Sequence, residues 1–173
     1  MVIFYIMTSS TGNNNDTLIK VNFDKNTSEV IYTTDMEKLY SLQSDGEYLY
    51  FFESTQSRET KSYFTAIDMN GTLKAQYEME YDEEFLEKAK KYYETYPEDT
   101  SVVADASGIC VYGIDERYIL MGSNSDSDVY KNLKSLNSKP YKKVITTGVG
   151  VINKMDYLNS GTASIKQIYQ NLS

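Results

Sequence analysis

The tightest constraint on the fold is that the chain writes the same strand-and-loop text several times. Val129 to Lys134 reads VYKNLK and Gln167 to Leu172 reads QIYQNL, with Tyr169 standing 39 positions after Tyr130. Around the first of these lies a longer unit. Tyr118 to Met121 is followed by the polar Gly122 to Asp128, then Val129 to Leu133, a turn at Asn137 to Pro140, and Tyr141 to Thr147. Apolar and aromatic runs bounded by Gly, Asn, Ser and Asp read as short strands joined by hairpins. Tyr48 to Phe52, polar Glu53 to Lys61, Tyr63 to Met69, Asn70-Gly71 and Leu73 to Glu80 follow the same grammar, and Asn-Gly is a strong hairpin signal. Val2 to Met7, Thr8 to Asp16, Leu18 to Phe23, Asp24 to Thr27 and Glu29 to Thr33 give it once more. Aligning Tyr5 with Tyr50 sets a period of 45, and Tyr48 to Tyr118 spans 70. The longer step equals one period plus an insertion of about 25 residues.

A further short run precedes each internal unit: Leu39 to Leu42 before Asp45-Gly46, Ile109 to Ile114 before Asp115-Glu116, and Val149 to Ile152 before Asp156 and Tyr157-Leu158. The full unit is therefore four strands, with repeat units over 2–34, 38–81, 101–147 and 149–173. Four antiparallel strands recurring every 40 to 45 residues is the period of a β-propeller blade, which shelters its faces only against its neighbours. The expected fold is all-β: a partial or small β-propeller of four-stranded antiparallel blades with one inserted amphipathic helix. A sandwich or closed barrel competes, but neither requires the text to recur. A chain that starts at the second strand of one unit and stops at the third of another holds about three and a half blades by this count, so the expectation is a single repeat domain belonging to a longer protein.

Composition closes several function classes. The net charge is −8, with 25 acidic and 17 basic residues, which disfavours a polyanion partner, so no nucleic acid is expected. With no histidine, the chain lacks catalytic triads, histidine-ligated zinc and the commonest neutral-pH base. Seventeen tyrosines and six phenylalanines suit pleated, half-buried surfaces. No run of 18 apolar residues exists, so this segment is not expected to insert into a membrane. Cys110, the one thiol, lies in an alternating apolar stretch and reads as a buried structural residue.

Asp82 to Pro97, DEEFLEKAKKYYETYP, breaks the period of two. Phe85, Ala89, Tyr92 and Tyr96 recur at helical spacing, Asp82 suits an N-cap, and Pro97 marks the stop. The spacing predicts a helical insertion over 82–97. Its stripe, with Phe85, Tyr92 and Tyr96, is either a partner-binding face or the underside of a lid packed on the sheets.

Two sets of loops hold the candidate chemistry. Gly12 to Asp16, Ser54 to Lys61, Gly122 to Asp128 and Asn159 to Ser164 are equivalent hairpin loops on one rim. There Asn14, Asp16, Asn124, Asp126 and Asp128 offer oxygen ligands for calcium or hydrogen bonds to sugar hydroxyls, and equally they are what solvated turns need. No EF-hand pattern is present, and neither a metal nor a cofactor is expected. The opposite rim repeats Asp45-Gly46 and Asp115-Glu116. Paired carboxylates held about 5 to 9 Å apart cleave glycosidic bonds, but Asp also recurs because it bonds the turn backbone two residues on.

The run DGEYLYFF or DERYILMG, a polar loop, then VYKNLK or IYQNL and a Lys-rich strand, resembles bacterial domains of unknown function with propeller repeats of the low-density-lipoprotein receptor type. The resemblance covers the chain apart from the helix, although the receptor's Tyr-Trp-Thr-Asp signature is absent. It implies a secreted or surface-anchored location beside lipoprotein signals or cell-wall modules, no catalysis, and no transferable ligand residues. The expected function is a non-catalytic β-propeller-type binding or scaffold module of an extracytoplasmic bacterial protein, with a protein or a glycan as partner. The alternative is a fragment of a carboxylate-dependent glycan hydrolase or lyase.

Overall fold

The computed structural model describes residues 1–8, 15–55, 61–79, 83–98, 109–123, 148–160 and 166–170. They form three antiparallel sheets, each a meander of consecutive strands. Sheet 1 contains β1 (Val2–Met7), β2 (Thr17–Asn22) and β3 (Thr27–Thr33). Sheet 2 contains β4 (Lys38–Ser44), β5 (Tyr48–Ser54), β6 (Ser62–Asp68) and β7 (Leu73–Glu78). Sheet 3 contains β8 (Ile109–Ile114), β9 (Tyr118–Ser123), β10 (Gly148–Asn153) and β11 (Lys166–Gln170). Helix α1 (Glu83–Thr95) follows sheet 2, and α2 (Lys154–Ser160) joins β10 to β11. Among the described residues no helix is long and apolar enough to cross a membrane.

Strands β1 to β9 and helix α1 fall where the alternating runs and the aromatic stripe predict them. Gly148–Asn153 and Lys166–Gln170 are strands too, but they pair with β9 and with each other, completing sheet 3 rather than opening a further one. Tyr157 and Leu158, read as strand, lie in α2 instead. Asn153 caps that helix, its Oδ1 accepting the Asp156 N–H at 3.1 Å. The misreading has a physical cause: short apolar runs announce a strand but not its neighbour, and Ile152 sets this register by burying itself against sheet 2. The VYKNLK copy and the predicted strand at 141–147 lie outside the described residues.

Strand registers repeat more regularly than the letters do. Phe4 pairs with Lys20 as Tyr50 pairs with Ala66, and Met7 with Thr17 as Glu53 with Tyr63. From position 4 to 50 and from 20 to 66 the step is 46, so the residue equivalent to Tyr50 is Phe4, one place from the Tyr5 alignment. In a strand that one residue decides which face a side chain takes. Sheets 2 and 3 are related by a step of 70: Gln43 faces Tyr50 as Gly113 faces Leu120, and the one-residue bulge between Tyr40 and Gln43 recurs between Val111 and Gly113.

Sheet 2 lies between the other two. Alternate residues of β5 and β6 face opposite ways: Leu49, Phe51 and Ile67 meet Phe4, Ile6, Leu18 and Ile31 of sheet 1, whereas Tyr50, Phe52, Phe64 and Ala66 meet Val111, Ile119, Met121 and Ile152 of sheet 3. Each fully buried Leu, Ile or Phe contributes about 1.5–3 kcal/mol. Polar contacts pin the junction of sheets 2 and 3. Ser41 adopts a φ of +55° in the β4 bulge, and its hydroxyl accepts the Val111 N–H at 2.9 Å. Tyr157 of α2 stacks on Phe64 with ring centroids 4.9 Å apart, and its hydroxyl donates to the carbonyls of Phe64 at 2.7 Å and Ala75 at 3.3 Å. Burial drives the Tyr157 phenol upward from its ordinary pKa, so it stays a donor.

At the β6–β7 turn, Gly71 has φ +89° and a side chain there would sit 1.8 Å from the Ile31 carbonyl oxygen of sheet 1. Gly46, at φ +93°, faces open space. Gly46→Ala is expected to cost about 1–2 kcal/mol of left-handed strain, whereas Gly71→Ala also drives backbone against backbone and exceeds it by at least about 1–3 kcal/mol. Urea unfolding of the two variants checks the order. In native-state hydrogen exchange, the slowest amides are expected in β5 and β6, the strands covered on both faces.

Candidate functional site

The predicted loop residues mostly fall outside the described part of the chain: Asn14, Asn124, Asp126 and Asp128 all do. Asp16 is described, and it points inward. It is fully buried, and its carboxylate accepts the Leu39 N–H at 3.1 Å and Lys38 Nζ at 3.4 Å, while its backbone N–H donates to the Glu37 carbonyl at 2.8 Å. Its position beside the start of β4 makes it a tie between sheets 1 and 2, not a loop ligand facing solvent. On α1, Tyr92 is buried with Tyr93, their rings 5.7 Å apart, and Tyr96 stays about half exposed 5.1 Å from Tyr92. The side chain of Phe85 lies outside the described residues. Cys110 is half-buried and unpaired, so it is less enclosed than the alternating pattern implies.

The repeated turn aspartates are engaged by their own chain. Asp45 Oδ1 accepts the N–H groups of Glu47 at 2.9 Å and Tyr48 at 2.8 Å, and Oδ2 accepts Tyr50 Oη at 2.9 Å and Lys154 Nζ at 3.1 Å. Asp115 Oδ1 accepts the N–H groups of Arg117 at 2.7 Å and Tyr118 at 2.6 Å, the same turn seventy positions on. Burial pushes the Asp45 carboxyl up, but the two turn N–H groups, Lys154 and Tyr50 outweigh it and hold it below the usual carboxylate range. The Arg117 and Tyr118 N–H groups lower Asp115 likewise. Asp68 repeats the motif at the β6–β7 turn, lowered by the N–H groups of Thr72 and Asn70.

The polar centre that the sequence does not single out is Glu53. Almost fully buried between sheets 1 and 2, it accepts bonds from Thr34 Oγ1 at 2.6 Å, Thr65 Oγ1 at 2.5 Å, Gln76 Nε2 at 2.8 Å and Tyr32 Oη at 3.1 and 3.2 Å. Four donors from three segments satisfy the carboxylate, which is what lets a charge stay buried. Burial first, then the Glu53 charge, pushes the Tyr32 phenol well above its ordinary value. Nothing in the text signals this: Glu53 opens what looks like a polar loop, and its partners are scattered between positions 32 and 76.

Beside this packed junction lies a cleft of 670 Å³ between β1 and the β4–β5 hairpin, with Ile3 and Phe4 on one side and Leu42, Gln43 and Leu49 on the other. Lys20 reaches the Met69 carbonyl at 3.1 Å near it. No strand lies on the open edge of β1 among the described residues. On β5, the equivalent edge carries β4. A strand edge next to an apolar cleft can accept an extended polypeptide by main-chain pairing. Among the described residues no group of acidic or thiol side chains is placed to hold a metal ion.

Glu53→Ala is expected to destabilise the protein by at least about 3 kcal/mol, because it strands hydroxyl and amide donors in a dry junction; equilibrium unfolding in urea measures it. Asp45, Asp68 and Asp115 have folded values below the ordinary value of about 3.9, so their contribution is complete above about pH 4 and is lost as pH falls through the folded values. Urea midpoints measured from pH 5 downward are expected to fall, and Asp45→Asn to flatten that acid limb. No protein-family model, curated protein or solved structure matches the chain.

Proposed function

We propose that this chain is a non-catalytic β-propeller-type module, used as a binding or scaffold element of an extracytoplasmic bacterial protein. The observation that carries the reading is that the β1–β2 register recurs in β5–β6 at a step of 46 and the β4–β5 register recurs in β8–β9 at a step of 70, with the middle sheet buried on both faces. Blade-like sheets share this property: none can hide its surface alone. The location follows from the family resemblance. Against the hydrolase or lyase alternative stand Asp45 and Asp115, whose carboxyls are tied to turn N–H groups and held low, opposite to what a general acid requires.

Of the two partner classes, a polypeptide fits the β1 cleft better than a glycan. Its walls are mostly apolar and one side is an open strand edge, which recognises main chain rather than sugar hydroxyls. Because β4 fills the equivalent edge of β5, a synthetic KLYSLQS peptide, the sequence of Lys38 to Ser44, is the matched probe. Fluorescence anisotropy with the labelled peptide is expected to show saturable binding, with a dissociation constant below about 1 mM, and a scrambled peptide none. Retention on a glycan array without peptide binding would replace the polypeptide reading. Release of reducing or unsaturated ends from envelope glycans would replace the non-catalytic one.

A further inference from the structure

The step of 46 has a consequence for the ends of the stack. Each sheet has two unlike faces. The first, bearing Leu49 and Phe51 in sheet 2 and Ile119 and Met121 in sheet 3, meets the preceding sheet. The second, bearing Phe4 and Ile6 in sheet 1 and Tyr50 and Phe52 in sheet 2, meets the following one. Among the described residues the same first-on-second contact is made twice, and one face of each kind is left over.

Both leftover faces carry apolar residues, with Lys166 paired to Val151 at the β11 side of the sheet 3 face. On sheet 1, the positions equivalent to Leu49, Phe51 and Gln76 are Ile3, Tyr5 and Val30, which are 41, 43 and 55% exposed, with Met7 beside them at 50%. Lys20, the charged residue of β2, points the other way, to the Met69 carbonyl. On sheet 3, the positions equivalent to Tyr48, Tyr50 and Ala66 are Tyr118, 46% exposed, and the half-buried Leu120 and Val151. On sheet 1 the patch carries no charge, and a contiguous apolar patch of this kind on a protein surface marks an interface. Its complement is present in the same molecule, because the internal junctions already join these two kinds of face.

We propose that the open face of sheet 1 docks on the open face of sheet 3 in a second copy of this chain. Two copies make the contact twice, closing six sheets into one ring. The contact is heterologous, one kind of face on the other, so it must close or propagate. Six sheets fall within the four to eight that propeller rings contain. The proposal rests on the stacked-sheet reading above, independently of any peptide in the β1 cleft.

Light scattering coupled to size-exclusion chromatography on the full chain tests it. The expected mass is twice that of the chain. Tyr5→Lys and Leu120→Glu are each expected to weaken association at least about hundred-fold and run as monomers. Mixed one to one, they should recover dimers, since lysine on one face then meets glutamate on the other. Circular dichroism checks that each variant is folded, and Val30→Lys replaces Tyr5→Lys if that variant is not. A wild-type monomer at about 100 µM, growth into open polymers, or a dimer broken by Tyr5→Lys but untouched by Leu120→Glu would each overturn the ring. A monomer that keeps its slowest-exchanging amides in β5 and β6 loses the docking alone. Loss of that exchange order removes the stacked-sheet reading itself.

Discussion

Everything in this structure follows from β5 having no side to show to water. Leu49, Phe51 and Glu53 project one way and Tyr50 and Phe52 the other, and all five are buried. A strand with one apolar face can be satisfied by a single partner layer; a strand apolar on both needs two. That requirement places a sheet on each side of sheet 2, and it explains why β1, β2 and β3 precede it and β8 to β11 follow it in the chain. The connections can then stay short on the sheet 1 side, where Asp16 and Thr34 lead into β4 through backbone and side-chain bonds.

The two junctions are built differently. Between sheets 2 and 3 the contact is apolar, with Tyr157 stacked on Phe64 at 4.9 Å and Ile119, Met121 and Ile152 packed against Tyr50 and Phe52. Between sheets 1 and 2 the apolar contact shares space with the Glu53 network. Apolar surfaces tolerate small sliding, whereas a carboxylate holding four donors accepts one arrangement. The first junction supplies adhesion and the second fixes alignment.

Much of this was legible in the sequence, and the limits are physical. Apolar and aromatic runs bounded by turn residues located β1 to β9, and Asn70-Gly71 located a hairpin because φ +89° is natural only for glycine. The helix spacing of Tyr92 and Tyr96 survived because i and i+4 share a face in any helix. Three things were not legible. The partner of Gly148–Asn153 depends on which face Ile152 must bury, a property of sheet 2 and not of the local text. Tyr157 looks like another strand tyrosine, since neither its helix nor the carbonyls it reaches are written nearby. Glu53 and Asp16 read as loop polarity because burial of a charge depends on donors brought in from distant positions. Matching letters at 45 instead of registers at 46 also hid which faces were left open.

The Tyr157 hydroxyl bridges the Phe64 and Ala75 carbonyls, on β6 and on the edge strand β7 of the neighbouring sheet. A chain held at its ends and stretched would meet this bridge as a rivet: the last hairpin cannot peel away while its ring stays seated. Load from the C-terminal side falls on one aromatic side chain shared by two sheets, whereas load from the N-terminal side falls on the Tyr32 and Thr34 bonds to Glu53. The stack is mechanically polar, because its two ends hand a pull to two different kinds of bond.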